Sequence, residues 1–441
     1  MFQKTSYSVP FFLCAPLLVS AAQYCSLKPP LDATTTPAGG IQHTANATDA
    51  SDVIASAWYP GWLATSFPPS SISWDKYNVM TFAFATTTPD PSMIALDDIS
   101  MGALPTFVSA AQNASVPALL SIGGWTGSQY YSSAVGSPEN RTAFISAILA
   151  LVSKYDLDGI DFDWEYPGSS AGLSCNVVNP DDSANFLSML QELRTSGGEN
   201  LTLTAAVGIT PFVGPDSTPM VDVSQFADVL DRIAIMAYDV WGSWSSTVGP
   251  NAPLNDACAP PADQVGSAVS AVNAWTIAKF PANQITLGLA SYGHSFSVPP
   301  SAALTSSGSI ALYPMYDKSA QPLGNTDEAN DTSLDPCGQP NGVSGIFTFT
   351  GLISEGYLNS NGTAADGIRY VFDLCSQTPF VYNRTNQVMV SYDDATSFAA
   401  KGNFINSQNL LGFAVWDITG DQNDILLDSL HAAMGIETVC E

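Results

Sequence analysis

Eight short apolar runs recur along the chain: Val53–Trp58, Val79–Ala85, Ala118–Ile122, Gly159–Trp164, Leu201–Val207, Ile233–Met236, Ile285–Ala290 and Leu410–Trp416. Gly, Pro or Asp punctuates most of their ends, as expected of strands bounded by turns. The segments between them carry helical spacing instead. Asn140–Tyr155 places Phe144, Ile145, Ile148, Leu149, Leu151 and Val152 on one stripe, and Asp181–Arg194 does the same through Phe186, Leu187, Leu190 and Leu193. Eight strand–helix alternations predict an α/β fold with a parallel sheet and crossover helices, most simply a closed (β/α)8 TIM barrel.

One interval breaks the rhythm. From Ser291 to Asn409 the chain is too long for a single crossover helix. It holds alternating segments such as Ile346–Phe349 and Val388–Val390, two cysteines and many Gly and Asn. A small α+β insertion after the seventh strand is expected over 297–391, leaving 51–296 and 392–441 to the barrel. A helix is predicted over roughly Asp394–Asn406. Residues 23–50, rich in Thr, Ala, Pro and Gly, read as an irregular lead-in. Before them, Lys4, the apolar stretch Val9–Val19 and the small residues Ser20–Ala22 have the form of a secretory signal peptide over 1–22. The apolar stretch is shorter than the about 20 residues that span a bilayer.

Composition narrows the function. Of 441 residues, 12 are Lys or Arg and 40 are Asp or Glu, a formal charge of −28. No two basic residues are adjacent. Nucleic acid and anionic membrane surfaces, which are gripped by clustered cations, are therefore excluded as partners. Seven cysteines occur, and Cys14 falls in the signal segment. The other six form an even set for an oxidising compartment, with fifteen pairings possible. The pairing expected is Cys175–Cys258, Cys337–Cys375 and Cys25–Cys440. Seven Asn-x-Ser/Thr sequons accord with a secreted, glycosylated chain. No Cys-x-x-Cys or clustered His marks a metal site, so neither a metal nor another cofactor is expected, and a monomer is.

The densest chemistry is Asp158-Gly-Ile-Asp161-Phe-Asp163-Trp-Glu165-Tyr-Pro167. Strand side chains alternate faces, so Asp161, Asp163 and Glu165 share one face and Ile160, Phe162 and Trp164 the other. Asp158 has the opposite parity and is assigned a supporting role. Same-face neighbours stand about 6.6 Å apart along a strand. Three carboxylates that close cannot all ionise freely, so at least one holds a proton near neutral pH. Glu165 sits where barrel active sites open, at the C-terminal end of its strand, and reads as a general acid. A bound Mg²⁺ or Ca²⁺ is the competing reading of the same acids.

These residues resemble family 18 glycoside hydrolases, the chitinases. Asp158-x-x-Asp161-x-Asp163-x-Glu165 is similar to the family's fourth-strand signature. Ser121-Ile-Gly123-Gly124-Trp125, Met236-Ala-Tyr238-Asp239 through Gly242 to Trp244, Gly288-Leu-Ala-Ser-Tyr292-Gly293, and Trp416 resemble its other motifs in order, over roughly residues 50–435. The resemblance implies a secreted hydrolase of β-1,4-linked N-acetylglucosamine polymers that uses the sugar's own 2-acetamido oxygen as nucleophile, a known exception to the two-carboxylate rule. It implies Glu165 as acid and base, Asp163 orienting the acetamido group, Asp161 sharing a proton with Asp163, and Tyr238 holding the acetamido oxygen. Asp239, Met236 and Tyr292 would contact sugar, and Trp416 would floor the site. Tyr59, Trp62, Trp125 and Trp244 would stack on sugar faces. Chitin or chitooligosaccharides are the implied partners. Where the family usually has Arg after Tyr292-Gly293, this chain has His294. An endo-β-N-acetylglucosaminidase acting on glycoprotein glycans and a non-catalytic chitin-binding lectin are the alternatives on the same scaffold. Such lectins lack the acid that Glu165 supplies.

Overall fold

The computed structural model describes residues 25–28, 53–197 and 200–440. All eight apolar runs are strands: β1 Ile54–Pro60, β2 Val79–Thr87, β3 Ala118–Gly123, β4 Gly159–Asp163, β5 Thr202–Val207, β6 Arg232–Ile235, β7 Ile285–Ala290 and β8 Gly412–Trp416. They pair in parallel, and β2 closes back onto β1, completing the barrel. Alternation sorts their side chains. Tyr59, Phe82, Leu120, Ile122, Ile160, Phe162, Leu203, Ile233 and Leu287 point outward into the main core under the helices. Phe162 meets Phe186 of the helix Asp182–Gly197 edge-on, and Trp164 stacks on Tyr131 at 5.0 Å. The inward positions are small or polar instead. Ala83, Ala206, Ala234 and Ala414 surround Trp58, where many barrels carry branched aliphatics. That leaves room for chemistry inside.

Helix boundaries follow local signals. Ser137 caps the helix Pro138–Tyr155 by accepting from the Asn140 amide, with Pro138 in the first turn. Asp394 and Ser397 form a reciprocal capping box on the helix Ala395–Ser407.

After β7 the chain passes through Ser291 into a five-stranded antiparallel sheet. Its order is Ile346–Thr348, Tyr292–Ser297, Val388–Ser391, Thr378–Asn383 and Arg369–Asp373. It has a core of its own, from Phe296, Val298, Tyr316, Phe380, Tyr382 and Met389. Its first strand starts two residues beyond the barrel, so Tyr292 and His294 arrive directly at the barrel mouth.

The disulfides correct the expected pairing. Cys175 bonds Cys337 and Cys258 bonds Cys375, with Cα–Cα separations of 5.4 and 5.7 Å. The expected Cys175–Cys258 and Cys337–Cys375 joined barrel loop to barrel loop and insertion to insertion. The chain instead ties each barrel loop to the insertion, a proximity that linear order does not show. Within the lead-in expected to be irregular, Cys25–Lys28 is a strand, paired antiparallel with Glu437–Cys440. Four residues are too few to show periodicity, and the partner lies at the other end of the chain. Cys25 and Cys440 stand opposite each other in this ribbon; the expected bond between them lies outside the described side chains. The segment expected to be a signal peptide, and the sequon at Asn46, lie outside the described residues. Among the described residues no helix is long and apolar enough to cross a membrane.

Candidate active site

β4 carries Asp161 and Asp163 into the barrel and delivers Glu165 two residues beyond its end. All three side chains are buried. Asp161 is fully engaged: the Trp58 indole and the Ser121 hydroxyl donate to Oδ2 at 3.0 and 2.7 Å, and the Thr204 hydroxyl donates to Oδ1 at 2.6 Å. Asp163 differs. Its Oδ1 is buried with no hydrogen-bond partner among the described residues. Burial, then the nearby Glu165 and Asp161, push its carboxyl well above the usual range. Burial likewise pushes Glu165 up to about 7, with Asp239 adding to the rise and the Tyr166 hydroxyl opposing it. The row thus holds one acid furnished with three donors, Asp161, and two carboxyls biased toward the protonated form. Asp158 lies below them, its carboxylate accepting from the Ala118 amide at 2.8 Å and so tying β3 to the start of β4.

The backbone that presents Glu165 is pinned by groups that motif reading passed over. The Ser128 hydroxyl accepts from the Glu165 amide at 3.0 Å and lies within hydrogen-bond reach of the Gly124 and Asp163 carbonyls. Asn176 donates to the Glu165 carbonyl at 3.0 Å. Gly123, at φ +112°, lets the β3 turn pass close: a Cβ there would meet the Asp163 carbonyl oxygen at 2.1 Å.

Above the acids opens a cleft of about 600 Å³, within the range of small-molecule and sugar sites. Trp416 lies against Phe84 at 5.4 Å and Trp58 at 6.2 Å. Trp62 and Trp125 line the rim and are 41% and 47% exposed. Glu165, Asp163, Tyr238, Asp239 and Met236 share this cleft, and Ile346 closes it from the insertion. Together these rings give the cleft a continuous apolar wall, the kind of exposed patch that ligand grooves carry.

The β6 side is a linked polar wall. Asn251 donates to the Tyr292 carbonyl and accepts from the Asp239 amide, both at 3.0 Å. It thereby holds Asp239 in the left-handed region, φ +55°. His294 is nearly fully buried, and its Nε2 lies 2.7 Å from Asp239 Oδ1. Tyr292 packs edge-on against both Tyr238 and His294.

Most of the sequence-predicted residues therefore converge: Glu165, Asp163, Tyr238, Met236, Asp239, Trp62, Trp125 and Trp416 line the cleft, with Asp161 beneath. Tyr292 and Trp244 do not line it. The Tyr292 hydroxyl bonds Asp239 directly, and Trp244 backs His294 at 5.2 Å from that ring and is 58% exposed. Tyr59 is a correction. It has no exposed surface, stacks on Phe107 at 5.3 Å and donates its hydroxyl to the Phe67 carbonyl. Adjacent strand residues face opposite ways, and on β1 it is Trp58 that faces in.

A family model described as glycosyl hydrolases family 18 matches residues 56–421. A chitinase-like effector of Moniliophthora roreri is 48% identical over 88% of this chain and 95% of its own. A class V chitinase of Arabidopsis thaliana is 28% identical, covering 84% and 86%. The crystal structure of a chitinase from Rhizomucor miehei superposes with a TM-score of 0.76 at 33% identity, over 86% of this chain and 99% of that one.

Proposed function

The chain belongs to glycosyl hydrolase family 18, and from that premise we propose that it is a secreted chitinase, cleaving β-1,4 bonds between N-acetylglucosamine units with retention. The observation that carries the reading is the paired bias of Glu165 and Asp163 toward the protonated form at the base of an aromatic cleft. Glu165 protonates the glycosidic oxygen as the bond breaks. The 2-acetamido oxygen of the same sugar attacks the anomeric carbon, so no second carboxylate nucleophile is needed. Glu165, now a carboxylate, then takes a proton from the water that opens the cyclic intermediate. Asp163 accepts from the acetamido N–H once its own proton has moved toward Asp161, and Tyr238 donates to the acetamido oxygen. These contacts hold the attack geometry. Trp416 lies under the distorted ring, and Trp62 and Trp125 extend the binding face along the chain. A neutral polymer asks for rings and hydrogen bonds rather than cations, which suits a chain with 12 basic residues.

A second reading is a sugar-binding protein without hydrolysis, kept open because the M. roreri relative is called chitinase-like rather than a chitinase. The intact acid row speaks for catalysis. Incubation with chitotetraose and, separately, with a high-mannose glycoprotein decides the matter. Chitobiose released first as the β-anomer supports the proposal. Glycan release from the glycoprotein would point to an endo-β-N-acetylglucosaminidase, and binding without products would leave the lectin-like reading.

The acid also sets a pH dependence. A general acid works only while it keeps its proton, and Glu165 is pushed up to about 7. Activity measured as kcat/KM on chitotetraose is expected to hold through mildly acidic pH and to fall about tenfold per unit above roughly pH 7. A falling limb at pH 4–5, where an ordinary glutamate ionises, would contradict the assignment.

A further inference from the structure

The barrel interior holds a cation that the mechanism above does not use. Arg232 opens β6 and is 7% exposed. It shares inward parity with Ala234 and Met236, while Ile233 and Ile235 face the helices. The strand register sets it in line with the acid row: Ser121 stands opposite Asp161, Asp161 opposite Thr204, and Thr204 opposite Arg232. Arg232 and Asp161 both line a small chamber of about 10 Å³ whose other polar walls are Ser56, Thr81, Thr204 and Thr286. That is room for one water molecule among several hydroxyls.

A buried guanidinium without a counter-charge is too costly to persist. Burial draws the Arg232 guanidinium down, and the two carboxyl groups that oppose this are Asp161 and its own neighbour Asp231. Asp231 is committed elsewhere: it pairs with Arg194 at 2.6 Å and accepts from the Leu203 amide, with about half of its side chain exposed. The groups facing Asp161 are Asp163 above it, Tyr131 from behind β3 and Arg232 below. The chamber walls from β1, β2, β5, β7 and β8 add only hydroxyls, the Trp58 indole and methyl groups.

We propose that Arg232 is a positioning residue for the catalytic proton: its charge inside the barrel fixes Asp161 as the anion of the row and leaves Asp163 to carry the proton. The inference rests on the hydrolytic reading for its consequence, though not for its charge. With Asp161 anionic, Asp163 stays protonated in the free enzyme beside Glu165. When substrate arrives, the row has a defined acceptor, Asp161, toward which that proton moves. Without the cation, Asp161 itself takes up a proton as pH falls, and the row loses its acceptor.

The test uses two neutral variants, Arg232→Met and Arg232→Gln, and the charge-retaining Arg232→Lys. Each is read by the pH profile of kcat/KM on chitotetraose and by ¹³C carboxyl titration of the free full-length protein. Neutral variants are expected to move the acid limb, and the Asp161 titration with it, upward by roughly one unit. Lys is expected to restore both. A thermal unfolding transition as sharp as that of the parent shows that the fold is kept. Either neutral variant, folded, with unmoved limb and unmoved titration overturns the proposal, as does a Lys variant that shifts as far as Met. If the parent protein hydrolyses nothing, the chitinase reading falls while the carboxyl titration still decides the role of Arg232.

Discussion

Glu165→Gln is expected to lower kcat on chitotetraose by about 10²- to 10⁴-fold, the contribution of a positioned general acid. Glutamine keeps the volume and the hydrogen-bonding reach of the side chain and lacks the transferable proton. The groups that place it act on backbone: Ser128 on the Glu165 amide and Asn176 on its carbonyl. The variant is therefore presented in the same position, and the aromatic cleft is untouched. Affinity for chitotetraose, measured by calorimetry, is expected to stay within a few-fold of the parent. The thermal midpoint is not expected to fall, because the substitution removes a buried ionisable group from beside Asp163. Retention of more than a few per cent of activity would remove Glu165 from the role of acid. Loss of binding together with activity would mean that the carboxylate holds the ground-state sugar rather than the transition state.

The largest expected effect on stability lies elsewhere. Lys401, on the helix Ala395–Ser407, meets Asp393 at 2.5 Å with both side chains essentially excluded from solvent. Burial pushes Asp393 up and Lys401 down, each opposed by its partner. Such a pair contributes little compared with well-packed apolar residues, but removing one member strands the other charge, at a cost of about 3–5 kcal/mol. Lys401→Met is expected to lower the thermal midpoint by several degrees, on the order of 5–10 °C. The double variant Asp393→Leu with Lys401→Met is expected to recover most of that loss. A single variant that melts within a degree of the parent would show that Asp393 is protonated in the fold and needs no partner.

The barrel was legible because period-two and helical patterns alternate through most of the chain. The acid row was legible because three same-parity carboxylates have no packing rationale. Its inner partners were not. Trp58 and Tyr59 are adjacent, and the small residues Ala55, Ser56 and Ala57 before them do not say which face is inward. Ser128 and Asn251 act by bonding to backbone that is distant in sequence, and polar residues of that type are common in loops. Arg232 reads as one more charged residue at a strand start until register sets it beside Thr204 and the Asp161 row. The disulfides depend on how the insertion lies against the barrel loops, which no spacing along the chain encodes.

The division of labour between the two faces of the strands has an evolutionary consequence. Outward side chains make the core that holds the molecule together; inward ones are mostly alanines, hydroxyls and acids, with Arg232, Trp58 and Met236 among them. Folding and chemistry therefore answer to different mutations. A lineage can exchange an inward group at little cost to the scaffold and keep the aromatic groove. One codon at Glu165 would separate a polymer-cutting enzyme from a protein that only captures fragments. On the proposed hydrolytic reading, the same architecture thus offers a one-residue path between cutting a ligand and merely holding it.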